Sequence, residues 1–86
     1  MKRDLAYFYM ICNQPDDVFF VKQCAAIEKK FRDMQKFPLL EDVDGSAFQS
    51  YRHKKGEIRV SNDYGFGSLY VEADFDLLPY FDQPSD

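Results

Sequence analysis

The hydrophobic period of this chain changes partway along it, and that change limits what it can fold into. Phe20, Cys24, Ile27, Phe31 and Met34 recur at 4, 3, 4 and 3 residues, the spacing that lines one face of an α-helix. From Ala47 onward apolar and polar residues alternate, as half-buried strands do. The switch falls after Phe37-Pro38, where proline disfavours helix at the residue before it.

The stripe predicts a helix from about Pro15 to Lys36. Proline suits a first helical turn, and Asp16 and Asp17 suit its positive end. Lys22, Lys29, Arg32 and Lys36 fall mostly opposite the stripe, with Phe19, Ala26 and Phe37 as its flank. Before the helix, Leu5–Cys12 has the aromatic content of a strand. Both of its faces are apolar, so it is expected inside the sheet. A small domain with helix on one side only leaves the other sheet face as aromatic surface.

After the helix, 39–46 reads as an acidic loop with a turn at Asp44-Gly45. Ala47–His53 and Glu57–Ser61 read as strands around a hairpin turn that exposes His53, and Asn62–Gly67 as a second turn. Ser68–Phe75 alternates, with Leu69, Val71, Ala73 and Phe75 inward and Tyr70, Glu72 and Asp74 outward. Asp76–Phe81 is apolar enough to pack back onto the body, and Gln83–Asp86 is expected to fray. The expected fold is a single α+β domain over 1–86. It is a two-layer β-α-β-β-β sandwich, with one amphipathic helix on a mainly antiparallel sheet.

Nine Phe and six Tyr among 86 residues supply enough apolar area for a core without disulfides or metal. Cys12 and Cys24 sit among apolar residues and are expected as reduced core thiols. Lys2 and Arg3 precede an apolar run too short for a signal peptide, so a cytoplasmic location is expected. No stretch reaches the ~18 apolar residues of a membrane span.

The net charge of −4 is uneven. Residues 1–56 carry ten Lys and Arg against eight Asp and Glu, and residues 57–86 carry one, Arg59, against seven. That balance opposes general affinity for nucleic acid, which needs a basic footprint, and points to a basic protein partner.

If the last strand persists, Glu72, Asp74 and Asp76 stand on one face about 7 Å apart, with Tyr70 beside them. Three readings fit: a solvated face, an acidic ridge that meets a basic protein, or a metal or paired-acid site. The last wants burial that no flanking pattern suggests. Tyr64-Gly65-Phe66-Gly67 puts two aromatics on a turn suited to recognition, and Tyr80 is a further candidate anchor. His53 has no nucleophile or orienting carboxylate in its local pattern, and zinc-type ligand spacings are missing. The glycines do not follow a phosphate-binding pattern.

The expectation is therefore a non-enzymatic, cofactor-free and metal-free protein-binding inhibitor, such as an immunity protein or antitoxin that occludes a basic enzyme. Glu72, Asp74 and Asp76 would steer the partner, and Tyr64, Phe66, Tyr70 and Tyr80 would anchor it. The alternative is a homodimeric regulatory or small-ligand-binding α+β module, whose second copy covers the apolar strand 5–12.

Overall fold

The first regular element is a strand, β1 (Tyr7–Cys12), in a computed structural model that describes residues 5–81. Helix α1 follows (Asp17–Lys30), then β2 (Gln35–Lys36), β3 (Leu40–Glu41), β4 (Ala47–His53), β5 (Gly56–Asp63), β6 (Ser68–Ala73) and a short helix α2 (Leu78–Phe81). All strand pairs are antiparallel, in the order β1-β6-β5-β4-β2, with β3 also on β4. The described chain is thus α+β, with a six-stranded sheet and two helices.

Asp16 caps α1: its carboxylate accepts from Phe19 N, relieving one of the unpaired amides at a helix start. The helix is shorter than its stripe implies. Phe31 caps its end, with the Phe31 amide still bonded to Ile27 O, and the chain then turns into β2. Phe31 remains almost wholly buried, so it fits the apolar spacing although the helix has stopped. Phe19, expected on the stripe's flank, is exposed, as are Val18 and Val21.

The segment expected as helix end and loop instead lies along the outer edge of β4. Gln35 pairs with Arg52, and Leu40 pairs with Phe48. Between them Phe37 N donates to Ser50 O, and the buried Gln49 amide donates to Phe37 O. Pro38 interrupts the ladder because it has no N–H to give.

The core joins Phe20, Ile27 and Phe31 to Tyr51, Ile58, Val60, Leu69, Val71 and Ala73, with Leu77 folding back from the tail. Cys12 and Cys24 are free thiols packed against this cluster, and burial pushes the Cys24 thiol up. His53 is not an exposed hairpin tip. Its ring packs edge-on against Phe31 and close to Phe75, because β4 directs it to the same side as Tyr51. Burial, then Lys54 and Lys55, lower its pKa.

Two part-buried polar contacts fasten α1 to the sheet. The Asn62 side chain accepts from Asp16 N at 2.9 Å and donates to the Asp17 carboxylate at 2.8 Å. The Tyr51 hydroxyl donates to Glu28 Oε2 at 2.6 Å, and Lys36 pairs with the same carboxylate at 3.1 Å. β1 corrects the expectation of an interior strand. Among the described residues only β6 pairs with it, which makes it an edge strand there. Residues 83–86, expected to fray, lie outside the described residues.

Asn62→Ala is expected to cost about 2 kcal/mol in urea unfolding, since it strands buried groups as well as removing bonds. Tyr51→Phe should cost about 1 kcal/mol near neutral pH. The Tyr51 hydroxyl, and then Lys36, hold the Glu28 carboxyl below its ordinary value. The folded state therefore binds that proton less readily than the unfolded state. The stabilisation is complete above the ordinary carboxyl range and fades as pH falls through the lowered folded value. Unfolding curves of the two proteins should accordingly converge on acidification.

Candidate protein-binding face

α1 and the tail pack on one side of the sheet, and the other side carries two rows of side chains set by strand register. Met10, Tyr70, Ser61, Phe48 and Leu40 form one row across five strands. Phe8, Glu72, Arg59 and Ser50 form the next. Among the described residues no helix covers these rows.

At the β1 end the rows build an aromatic cluster. Phe8 stacks on Tyr70 with centroids 5.0 Å apart, and Phe66 meets Tyr70 edge-on at 5.5 Å. Phe66 is 63% exposed and Phe8 49%. Asp63 organises this end. One carboxylate oxygen accepts from Phe66 N and the other from the Tyr70 hydroxyl at 2.9 Å, while Asp63 O accepts from Gly67 N. Gly67 closes the turn at φ +81, a conformation that favours glycine. Burial, and then Asp63, push the Tyr70 phenol up to about 12, so it remains a neutral donor near pH 7.

Further along the rows the surface dips. Ser50 and Ser61 are small residues between Arg59, Tyr70, Phe48 and Leu40, leaving an open groove of about 300 Å³. Arg59 bonds Glu57 at 3.1 Å and approaches Glu72 at 3.7 Å, so the cation and carboxylates offset each other in part. Ser61 Oγ is shielded from solvent and has no partner at hydrogen-bonding distance. It lies near enough to Tyr70 to favour the ionised phenol weakly, against the larger effects of burial and Asp63.

The residues singled out by the sequence separate. Tyr70, Phe66 and Glu72 share this face. Tyr64 turns toward the helix, its hydroxyl donating to Asp17 and its amide to Ser46 Oγ. Tyr80 lies against Phe31 at 4.6 Å and accepts from Lys55 Nζ. The acidic ridge does not form, because β6 ends at Ala73. Asp74 turns to the hairpin, where Oδ2 accepts from Glu57 N. Its Cβ would lie 2.5 Å from any Cβ added to Gly56, which is held at φ +144. Asp76 accepts from the Tyr9 hydroxyl and from Leu78 N. Phe8, Met10 and Asp63 belong to the face and were not singled out. The outward phase of 5–12 was a signal for the first two.

The face offers stacking surface and a partly neutralised ion cluster. His53, whose Nδ1 accepts from Lys55 N, belongs to the opposite side of the sheet. Among the described residues no helix is long and apolar enough to cross a membrane. Comparison with family models, curated proteins and solved structures finds no match to this chain.

Separating the two carboxylates tests this division. Asp74→Ala should lower stability by about 1–2 kcal/mol, because it releases a part-buried backbone amide. Glu72→Ala should change stability by less than about 0.5 kcal/mol, because its contact with Arg59 is long, at 3.7 Å, and Arg59 keeps Glu57 as a closer partner. Equilibrium urea unfolding of both variants decides it.

Proposed function

We propose that this protein binds a basic protein partner through the helix-free sheet face and restrains it by occlusion, as an immunity protein or antitoxin does. The observation that carries the reading is the cluster of exposed Phe8 and Phe66 on half-buried Tyr70. Aromatic side chains dominate the energetics of protein interfaces, because each buries a large area at little rotamer cost.

Charge has a secondary part in this reading. Glu57 and Glu72 are partly neutralised by Arg59, so the face itself is only mildly acidic. The net charge of −4 would still draw a basic partner from a distance. The rings would then set the lifetime of the complex, and the carboxylates chiefly its rate of formation. Tyr64, Tyr80, Asp74 and Asp76 serve the fold in this reading, and Phe8 joins Phe66 and Tyr70 as an anchor.

The test begins with a partner captured from the native host and identified, with its activity assayed against increasing amounts of this protein. Inhibition should saturate at equal amounts. Phe66→Ala should weaken binding at least tenfold, mainly through faster dissociation, while leaving the melting temperature nearly unchanged. Glu72→Lys should slow association by a smaller factor. A partner that binds both variants and Phe8→Ala as tightly as the parent would show that this face is not the binding site.

A further inference from the structure

The two edges of the sheet are built differently. The β4 edge is covered by the broken strand pair β2 and β3, with Lys36 and Glu41 in the strands and Pro38 between them. These are the usual means of blocking strand addition. The β1 edge carries none of them over Tyr7–Cys12 except an irregularity between Met10 and Cys12. Among the described residues no strand lies outside it. In an antiparallel pair alternate residues direct their N–H and C=O groups away from the paired neighbour, so β1 presents a row of backbone groups outward.

Its side chains also read as those of an interior strand. No charged residue occurs from Leu5 to Cys12. Phe8 and Met10 are each 49% exposed on the helix-free side. On the other side the edge borders an apolar recess of about 200 Å³, lined by Tyr9, Ile11, Ile27, Val71, Leu77 and Phe81. A strand added here therefore needs apolar side chains on both faces and no charge. β1 is itself such a strand.

We infer that β1 pairs antiparallel with β1 of a second copy, about a two-fold axis at Tyr9, so that two sheets become one. This register sets Phe8 opposite Met10 of the second copy on the open side. It sets Tyr7 opposite Ile11 on the other side, carrying the Tyr7 ring over the recess. Each contact occurs twice, as two-fold symmetry requires, and like charges do not meet along the seam. The irregularity near Ile11 confines regular pairing to the stretch around Tyr9. A strip about 20 Å long is smaller than a permanent interface, so the dimer forms in the micromolar range. This association shares Phe8 with the proposed partner site, but it needs no partner to be measured and leaves the Phe66 and Tyr70 rings on the sheet's face.

The experiment is sedimentation velocity on the full chain, from about 5 to 500 µM, to span a weak self-association. The parent should shift from monomer to dimer. Phe8→Lys with Met10→Lys puts two cations opposite each other twice and should leave only monomer. Phe8→Lys with Met10→Glu loses the same apolar surface but pairs opposite charges, and should restore the dimer. A parent that is monomeric throughout overturns the inference, as does a dimer that survives the double lysine variant or is not restored by the charge-paired one. If the double lysine variant fails to fold, hydrogen exchange of the parent decides. Amides within Tyr7–Ile11 should exchange more slowly at high than at low concentration, and equal rates overturn the pairing.

Discussion

The side-chain amide of Asn62 is almost wholly buried, and its two ends engage adjacent residues at one helix terminus, Asp16 and Asp17. A buried amide left unpaired is costly, so this contact tolerates little displacement of the helix. It fixes where α1 meets β5, and with it how Phe20 and Ile27 meet Val60, Leu69 and Val71. Tyr51 and Glu28 make a second fastening nearer the other end of the helix. The helix is thereby held to one side of the sheet, leaving the Phe8, Phe66 and Tyr70 rings on the other.

The sequence made the strand phases legible because alternation from Ala47 to Ala73 follows one buried face. Leu69, Val71 and Ala73 are buried, and Tyr70 and Glu72 lie across the sheet from them. The helix end was not legible, for Phe31 belongs to the core whether it continues the helix or caps it. The edge position of β1 was hidden for a different reason. Alternation reports which faces are apolar, but it carries no information about which strand lies alongside.

The candidate site was legible in part for the same reasons. Tyr70 and Phe66 could be chosen from strand phase and turn composition. Their convergence with Phe8 depends on β1 returning to pair with β6, a contact between distant parts of the chain. Asp74 appeared to be an outward carboxylate because a strand-end acid has the same local pattern whether it meets water or a backbone amide. Its actual partner, Glu57 N, is brought within reach by a glycine hairpin. Asp63, which orders the turn and holds Tyr70, was inconspicuous for the opposite reason: aspartate is common in turns of every kind.

Pro38 has a consequence beyond ending a helix. A sheet that can accept strands at both edges can grow without limit, which is the geometry of a fibre. Here one edge is occupied by short strands that break at a proline, and growth from that side has no continuous template. Any strand addition must therefore take place at β1, where a single two-fold pairing consumes the open edges of both molecules. With the β1 pairing inferred above, sheet growth would stop at a closed pair, because Pro38, the short strands and the charges of Lys36 and Glu41 together oppose addition at the far edge.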